Sequence, residues 1–318
     1  MESGLRIAVM VPCYNEEVAI QQVIADFRQA LPTAAIYVYD NNSKDRTMDV
    51  ARQAGAVVRR EPLQGKGNVV RRMFADVEAD IYVLVDGDAT YDAASASSMI
   101  QKLLDEQLDM VNGARVTQIE KAYRAGHKFG NWLLTAMVAL IFGDRFTDML
   151  SGYRVFSRRY VKSFPALAGG FETETELTVH ALELRMPIAE VATPYKERPE
   201  GSVSKLSTFK DGFRILWTII VLVKEERPIQ FFGLFCGLFA LASVGIMVPV
   251  IQEYLQTGLV RRYPTAILAT GLMILSFLSL TCGLVLDTVT RGRREMKRMR
   301  YLNIPAPVGK TRSAPLPD

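Results

Sequence analysis

Two long stretches without charged residues, towards the C-terminal end of the chain, constrain its fold more than any other feature. The first covers residues 229–251 and the second about 264–286, and no Asp, Glu, Lys or Arg interrupts either. A helix that crosses a bilayer needs about 20 apolar residues, and core helices of soluble proteins rarely continue that long without a charge. The pattern therefore predicts two transmembrane helices. A buried helical hairpin in a soluble protein is the alternative.

Basic residues around these stretches predict the orientation of the pair. Lys224 and Arg227 precede the first stretch, and a basic cluster at 291–300 follows the second. The loop between the stretches carries two basic residues, Arg261 and Arg262. Cytoplasmic segments beside a membrane carry an excess of Lys and Arg. We therefore expect a multi-pass protein of the inner (plasma) membrane, with its N-terminal part and its C-terminal tail in the cytoplasm.

Charge and composition exclude several kinds of site. The formal net charge of +4 comes from the tail at 288–318. A nucleic-acid-binding protein would spread Lys and Arg over a folded face, so no nucleic-acid partner is predicted. Three widely spaced cysteines exclude a disulfide framework, and two histidines do not suffice for a multi-histidine metal site. A hard divalent cation held by carboxylates stays open.

Before the apolar stretches, short apolar runs alternate with helical patterns. The runs and patterns occupy, in chain order, 7–11, 16–30, 36–40, 45–54, 66–78 and 81–86. This alternation is typical of an α/β fold with a mainly parallel sheet covered by helices. Ligands of such sheets bind at the carboxyl ends of the strands. The residues after each apolar run are therefore the first candidates for a site.

Three segments between the apolar runs bear on whether the chain binds a nucleotide. PCYNEE at 12–17 lacks the GxGxxG pattern of dinucleotide-binding folds, which argues against an oxidoreductase. GKG at 65–67 is a weak phosphate signal, although its glycines would let Lys66 approach a diphosphate. Asp40, after the second strand, is either a nucleotide contact or an ordinary turn residue.

Two aspartates follow the third apolar run. Asp86 and Asp88 flank Gly87 directly after the predicted strand. Neighbouring carboxylates at that position are costly unless a positive group neutralises them, and a hard divalent cation that bridges diphosphate oxygens would do so. A tight turn with two solvated aspartates is the alternative.

Seven motifs occur in the order found in family 2 glycosyltransferases of the GT-A fold: PCYNEE, DNNSKDRT, GKG, DGDATYD, TDMLSGYR, FETETEL and ERPEGSVSK. The chain most resembles the polyprenyl-phosphate branch, which includes dolichyl-phosphate mannose synthase and bacterial bactoprenol glucosyltransferases. The resemblance implies a Rossmann-like GT-A catalytic domain with a mainly parallel sheet, followed by interfacial helices and a C-terminal transmembrane pair. The expected boundaries are a catalytic domain at 1–206, a juxtamembrane amphipathic helix at 207–227, two spans within 228–287 and a basic tail at 288–318 with a disordered end.

The resemblance also implies roles for individual residues. The nucleotide sugar would contact Pro12, Tyr14, Glu16, Asp40, Lys66, Asp86, Arg198 and Lys205. The acceptor phosphate would contact Arg115, Lys128 and Arg154. Asp86 and Asp88 would bind Mg²⁺ or Mn²⁺, and Thr90 stands where relatives often carry Gln. Asp148 would act as a base or orient the acceptor, and one glutamate, chosen as Glu174 among Glu172, Glu174 and Glu176, would line the site.

The resemblance, together with the predicted membrane helices, implies inverting transfer of a hexose from a nucleotide sugar, preferably a UDP-sugar, to polyprenyl (undecaprenyl) phosphate at the cytoplasmic membrane face. The product would be a β-linked polyprenyl-phosphate sugar for cell-envelope glycan modification. The alternatives are a GDP-mannose-dependent polyprenyl-phosphate mannose synthase, a processive polysaccharide synthase, and a non-catalytic membrane sensor or scaffold for sugar nucleotides. A homo-oligomer and a flippase partner are further expectations.

Overall fold

The computed structural model describes residues 4–116, 146–170, 172–199, 217 and 220–307. Seven strands form one sheet: β1 Ile7–Cys13, β2 Ala35–Asp40, β3 Val57–Arg60, β4 Ile81–Leu84, β5 Met110–Val116, β6 Arg154–Ser157 and β7 Ile188–Pro194. The helices that accompany the sheet in the described part of the chain are α1 Ile20–Ala30, α2 Thr47–Gln53, α3 Lys66–Asp76, α4 Ser95–Asp105, α5 Arg158–Ser163 and α6 Thr173–Glu183. Two long helices follow, α7 Pro228–Thr257 and α8 Tyr263–Leu302.

The sheet has the strand order β3-β2-β1-β4-β6-β5-β7. Strand β6 pairs antiparallel with both β4 and β5, and the other neighbouring strands are parallel. The prediction of an α/β fold with a mainly parallel sheet is therefore confirmed.

The central strands form because their apolar runs are covered by the rest of the fold. Every residue of β4 and β6 is buried, and β1 is buried except at Pro12. Helix α1 places four apolar side chains on one face at helical spacing: Ile20, Val23, Ile24 and Phe27. Each such side chain contributes about 1.5–3 kcal/mol when fully buried. This packing fixes the strands and hence the positions of the loops that follow them.

Strand register aligns the carboxyl ends of three parallel strands. Cys13 at the end of β1 pairs with Asp40 at the end of β2. Met10 of β1 pairs with Leu84, the last residue of β4. The loops after β1, β2 and β4 therefore emerge at one edge of the sheet, which we call the carboxyl edge.

The antiparallel strand β6 brings a fourth segment to the carboxyl edge. Its first residue, Arg154, pairs with Leu84, so the described residues before Arg154 approach the same edge. Strands β5 and β7 are parallel to each other, and β5 is antiparallel to β6. Both therefore end at the carboxyl edge too, with Val116 and Pro194 as their last residues.

Helices α7 and α8 are both long and apolar enough to cross a membrane. Only 11% and 17% of their most apolar windows are buried by other residues of the structure. Gly258 follows α7 in the left-handed conformation, with φ of +70°, which favours glycine and ends the helix. Both helices are longer than the predicted spans at 229–251 and 264–286.

Much of the predicted basic tail is helical. Residues 288–302 continue α8 without a break, and the Arg, Lys, Met and Glu side chains of this stretch have high helix propensity. Residues 308–318 lie outside the described part of the chain, as does most of the predicted juxtamembrane helix at 207–227. The described end of that segment, 220–226, is helical.

The chain divides into two compact units, of which one is Arg214–Glu295 and the other is the rest of the chain. The end of α8 therefore belongs to the unit that contains the sheet. There Lys297 Nζ lies 2.6 Å from Glu183 Oε2, and Tyr301 donates a hydrogen bond to Asp109 Oδ2 at 2.7 Å. Both carboxylate side chains are fully buried. These contacts offset part of the cost of burying two negative charges.

Candidate active site

A lysine with two carboxylate partners lies at the carboxyl edge. Lys66 is the first residue of α3, and its Nζ is 2.5 Å from Asp86 Oδ1 and 2.5 Å from Glu174 Oε1. Burial by itself lowers the pKa of the Lys66 ammonium, but the charges of the two carboxylates outweigh burial and raise this pKa above its usual value. Lys66 therefore stays charged and joins the loop after β4 to the first turn of α6.

Asp88 has a cationic partner of its own. Arg198, beyond the end of β7, places Nη2 2.7 Å from Asp88 Oδ2, and Thr90 donates to Asp88 Oδ1 at 2.6 Å. Asp86 and Asp88 are thus each paired with a protein cation, which does not agree with a turn of two solvated aspartates. Lys205, predicted to act beside Arg198, lies outside the described residues.

The glycines of the GKG motif allow two loops to pack closely. A Cβ at Gly65 would lie 2.1 Å from the carbonyl oxygen of Gly169, and a Cβ at Gly67 would lie 2.1 Å from that of Ala168. Gly65 also has φ of +128°, a conformation that L side chains rarely adopt. In this structure the two glycines serve backbone packing, which in turn fixes the position of Lys66.

The turn before β6 approaches Asp86 closely. A Cβ at Gly152 would lie 2.2 Å from Asp86 Oδ2. The backbone N–H of Gly152 donates to Tyr91 Oη at 2.8 Å, and Ser151 Oγ donates to the carbonyl oxygen of Gly113 at 2.5 Å. These contacts hold the turn against Asp86, so a side chain at position 152 has no room.

The two carboxylate oxygens of Asp40 have different surroundings. Oδ2 accepts a hydrogen bond from Ser43 N at 3.1 Å, as in a turn. Oδ1 is buried and has no hydrogen-bond partner among the residues that the structure describes. A buried acceptor without a partner is costly. Oδ1 is therefore an acceptor for which the described residues supply no donor.

The three predicted nucleotide contacts of the first loop follow the end of β1. Pro12 lies in β1, and Tyr14 and Glu16 come directly after it. Glu16 N donates to Thr47 Oγ1 at 2.9 Å, which fixes the loop at the carboxyl edge. Contact of Pro12, Tyr14 and Glu16 with a nucleotide stays a prediction.

Arg115 and Asp148 form a two-point ion pair at the end of β5. Arg115 Nε is 2.7 Å from Asp148 Oδ2, and Nη2 is 2.8 Å from Oδ1. The guanidinium also lies over the ring of Tyr195, 5.6 Å from its centre. Arg115 and Asp148, which were both predicted to act on the acceptor, therefore lie in contact with each other at the carboxyl edge. Lys128, predicted to bind the same acceptor phosphate, lies outside the described residues.

The glutamates of the FETETEL motif have different surroundings because the motif begins helix α6. Glu174 contacts Lys66. Glu176 accepts hydrogen bonds from the backbone N–H groups at 167–168, at 2.8 and 2.9 Å. Glu172 is half-buried just before the helix. Glu174 is thus the glutamate of the motif that pairs with Lys66, which also pairs with Asp86.

Comparison with known proteins shows the family to which the chain belongs. The model of the family Glycosyl transferase family 2 matches residues 8–164. Glycosyltransferase AglJ of Haloferax volcanii is 30% identical over 299 residues, which cover 93% of this chain and 98% of that protein. The chain belongs to glycosyltransferase family 2.

Two further proteins are similar to this family 2 glycosyltransferase. An uncharacterized protein of Shigella flexneri is 59% identical over 155 residues, 49% of this chain and 95% of that protein. A dolichyl-phosphate hexose transferase of H. volcanii is 29% identical over 222 residues, 70% of this chain and 95% of that protein.

Solved structures confirm the predicted GT-A fold. Glucosyl-3-phosphoglycerate synthase of Mycobacterium tuberculosis, in complex with Mn²⁺, UDP and glucosyl-3-phosphoglycerate, has a TM-score of 0.58 and 24% sequence identity to this glycosyltransferase. The match covers 70% of this chain and 80% of that one.

The carboxylates of this glycosyltransferase suit a divalent cation that is coordinated partly by the protein and partly by a bound substrate. In the described ranges, no group of three or more His, Cys, Asp or Glu side chains could hold a metal ion by itself. Mg²⁺ sites commonly use one or two carboxylates and are completed by substrate phosphates and water, and Mn²⁺ also suits oxygen ligands. Asp86 and Asp88 are two carboxylates of the kind that such a site uses.

The structure contradicts the acceptor role predicted for Arg154. This side chain is fully buried, and its guanidinium donates to Thr178 Oγ1 at 2.8 Å and to the carbonyl oxygens of Met149 and Glu174 at 2.6 and 3.1 Å. Burial lowers the pKa of Arg154 from its usual value. A guanidinium enclosed in this way does not reach a phosphate outside the fold. Arg154 instead ties the loop before β6 to α6.

Glu190, which no motif singles out, holds the segment that carries Asp148. It is the cross-strand partner of Asn112 and accepts a hydrogen bond from Asn112 Nδ2 at 2.9 Å. It also accepts one from Thr147 N at 3.0 Å. The available signal was a single charge inside the strand IAEVATP, where the neighbouring residues are mostly apolar.

Asn41 has a similar role for the loop before α3. Its side chain donates to the carbonyl oxygen of Leu63 at 2.8 Å and accepts from Gly65 N at 2.7 Å. These bonds connect the end of β2 to the loop that positions Lys66. Its place beside Asp40 at a strand end was the signal for it.

Proposed function

We propose that this protein is a membrane-bound hexosyltransferase that moves a hexose from a UDP-sugar to polyprenyl phosphate at the cytoplasmic face, with inversion at the anomeric carbon. The name of the similar dolichyl-phosphate hexose transferase, 29% identical over 70% of this chain, supports the acceptor. The UDP and Mn²⁺ bound to the structurally similar glucosyl-3-phosphoglycerate synthase support the donor and the metal.

The observation that carries the proposal is the pairing of Asp86 and Asp88 with Lys66 and Arg198. A nucleoside diphosphate presents negative oxygens at one end and the donor groups of a base at the other. Lys66 and Arg198 supply cations for the diphosphate. Asp40 Oδ1, buried and without a partner in the described structure, suits a donor group of the base. These residues follow strands that end at one edge of the sheet.

In the proposed reaction, a phosphate oxygen of the acceptor attacks the anomeric carbon while the bond from that carbon to the diphosphate oxygen breaks. A Mg²⁺ or Mn²⁺ ion held by Asp86 and Asp88 would supply Lewis-acid stabilisation to the leaving diphosphate. Lys66 and Arg198 add fixed positive charge to the same group. The acceptor is already an anion and needs positioning more than deprotonation. Arg115, oriented by Asp148, suits that positioning role, because its guanidinium can donate to a phosphate.

The apolar helices support a lipid acceptor. A polyprenyl phosphate stays in the bilayer, so its enzyme works at the membrane surface, and α7 and α8 are both able to span a membrane. The basic residues at 291–300 favour the cytoplasmic side, where anionic lipids attract them. A product formed on that side needs a flippase partner before it can serve glycan modification in the cell envelope.

The test uses the full chain, purified in detergent and supplied with Mn²⁺ and undecaprenyl phosphate. Radiolabelled UDP-glucose, UDP-N-acetylglucosamine and GDP-mannose are offered one at a time, and lipid-linked label is extracted and counted. We expect product from a UDP-sugar and a loss of about 100-fold or more in Asp88→Asn. Asp105→Asn, on the exposed end of α4, is the matched control and should keep full activity.

Other outcomes of the same assay identify the alternatives. Product from GDP-mannose alone indicates a mannose synthase, and a polymer indicates a processive synthase. Mn²⁺-dependent binding of UDP without turnover indicates a sensor. Absence of lipid-linked label with every donor contradicts the proposed function.

A further inference from the structure

The carboxylates that would hold the metal are occupied by protein cations. Lys66 Nζ lies 2.5 Å from Asp86 Oδ1, and Arg198 Nη2 lies 2.7 Å from Asp88 Oδ2. The second oxygen of Asp88 accepts from Thr90 Oγ1 at 2.6 Å. A metal ion that binds Asp86 through Oδ1 would therefore take the place of an ammonium group.

A metal ion that binds Asp86 and Asp88 without a nucleotide lies close to the positive charges of Lys66 and Arg198. Like charges a few ångströms apart repel each other, so these two cations oppose its binding, and at Asp86 Oδ1 the metal ion also has to displace Lys66. A nucleoside diphosphate that arrives with the metal changes this balance, because its oxygens accept hydrogen bonds from both Lys66 and Arg198.

Glu174 provides Lys66 with a partner that does not bind the metal in the proposed scheme. Its Oε1 is 2.5 Å from Lys66 Nζ, and its side chain is only 8% exposed. Its Oε2 is buried without a hydrogen-bond partner among the described residues. The backbone of Glu174 is fixed by Arg154 and Thr178, which both donate to its carbonyl oxygen at 3.1 Å. Lys66 can therefore leave Asp86 and still remain paired within the site.

We propose that Lys66 keeps a bare metal ion away from Asp86, and that Glu174 is a positioning residue that retains Lys66 when the metal and a nucleoside diphosphate bind together. This inference rests on the proposed function, because it takes Asp86 and Asp88 as the metal ligands. It assigns Glu174 to binding order and donor affinity rather than to direct contact with the reacting atoms.

The primary test measures Mn²⁺ binding to the purified wild-type chain by the loss of the electron paramagnetic resonance signal of free Mn²⁺. Titrations are run with and without UDP, and protein-free titrations with the same UDP concentrations correct for Mn²⁺ bound by UDP in solution. We expect Mn²⁺ to bind about tenfold tighter or more when UDP is present. An affinity that UDP leaves unchanged overturns the proposal, and this measurement needs no variant.

Lys66→Met removes the ammonium but retains an unbranched side chain. We expect this variant to bind Mn²⁺ without UDP about tenfold more tightly than the wild type, because Asp86 no longer has a cation to exchange. Lys102→Met is the matched control, since the Lys102–Glu106 pair lies on the surface of α4, and it should bind Mn²⁺ as the wild type does. A Lys66→Met affinity equal to that of the control overturns the role of Lys66.

Glu174→Gln tests whether Glu174 retains Lys66 when Mn²⁺ and UDP bind together. In this variant Lys66 has Asp86 as its remaining carboxylate partner, so we expect the Mn²⁺ affinity in the presence of UDP to fall about tenfold and the KM for the donor to rise. We expect kcat at saturating donor and Mn²⁺ to change less than KM. Wild-type Mn²⁺ affinity with UDP in Glu174→Gln overturns the role of Glu174.

Parallel assays separate this inference from the proposed function. Lipid-linked product from the wild type, together with Mn²⁺ affinities that neither UDP nor Lys66→Met alters, leaves the transfer reaction standing and removes the inference. The expected Mn²⁺ affinities without any lipid-linked product support the inference and remove the proposed acceptor.

Discussion

Arg115 binds both carboxylate oxygens of Asp148, through Nε at 2.7 Å and Nη2 at 2.8 Å. The backbone N–H of Arg115 adds a third hydrogen bond to Asp148 Oδ2 at 3.2 Å. Because a carboxylate bound at both oxygens by one guanidinium restricts that guanidinium to a single orientation, Asp148 fixes Arg115 at the end of β5.

Arg115→Lys should lower kcat/KM for sugar transfer about tenfold. Lysine keeps the positive charge but cannot bind both oxygens of Asp148 in the planar geometry of a guanidinium, and tenfold in rate corresponds to about 1.4 kcal/mol. The matched control is Arg52→Lys on α2, whose pair with Asp49 is exposed, and it should keep wild-type kinetics. Equal kcat/KM values for the two variants would show that the two-point contact has no part in transfer.

The positions of Asp40, Asp86 and Asp88 at one edge of the sheet could be predicted, because they follow apolar runs whose pattern predicts parallel strands. Parallel strands bring their carboxyl ends to one edge, and this rule needs no knowledge of side-chain packing. The order of the strands then brings their loops together.

The surroundings of Arg154 and Glu190 could not be predicted in the same way. They depend on the antiparallel insertion of β6 between β4 and β5, and on the pairing of β5 with β7. These strand pairings join segments that are far apart in the chain. The local pattern of a short strand does not specify which strand it pairs with. The sequence therefore predicts a ligand contact for Arg154, which belongs to a family motif, although the fold buries its side chain.

Arg154→Met should destabilise the protein by about 3 kcal/mol, because it leaves the buried carbonyl oxygens of Met149 and Glu174 without these hydrogen bonds. Urea unfolding of the purified protein measures the change. Arg158→Met is the control: its pair with Glu78 is exposed, and the expected loss is under about 1 kcal/mol. A raised KM for polyprenyl phosphate with unchanged stability would instead restore the acceptor role of Arg154.

Tyr301→Phe should lower the unfolding free energy of the sheet-containing unit by about 1.5–3 kcal/mol. The substitution removes the hydroxyl that donates to Asp109, whose side chain is fully buried and also held by Arg159. The ring stays, so its contact with the Arg159 guanidinium, 4.4 Å from the ring centre, is retained. Tyr254→Phe, on an exposed part of α7, should match the wild type in the same denaturant titration.

His180 predicts a pH dependence of stability. It lies buried on α6 against the rings of Tyr160 and Phe164. Burial, with a further contribution from the positive charge of Lys297, lowers the pKa of His180 from 6.5 to about 3. Between these values the unfolded chain binds a proton that the folded protein does not bind. The free energy of unfolding therefore falls as the pH falls below 6.5, by up to about 1.4 kcal/mol per pH unit.

His180→Gln isolates this contribution, because glutamine does not titrate while other groups continue to do so. Denaturant unfolding of both proteins at several values between about pH 7.5 and pH 5 gives the two slopes. We expect the wild type to lose stability more steeply than His180→Gln as the pH falls. Parallel slopes would mean that His180 takes up its proton equally well in the folded protein.

Gly152→Ala should weaken binding of UDP in the presence of Mn²⁺ about tenfold. A Cβ at this position would lie 2.2 Å from Asp86 Oδ2, and Tyr91 already holds the backbone N–H of Gly152, so Asp86 has to move. Asp86 is the residue that pairs with Lys66, and its displacement disturbs both the cation and the metal ligand of the proposed donor site. Isothermal titration with UDP measures the effect. Gly292→Ala, whose new Cβ would meet no atom within 4 Å beyond the adjoining residues and backbone of its own helix, should bind UDP as the wild type does. Wild-type affinity in Gly152→Ala as well would remove Asp86 from the donor site.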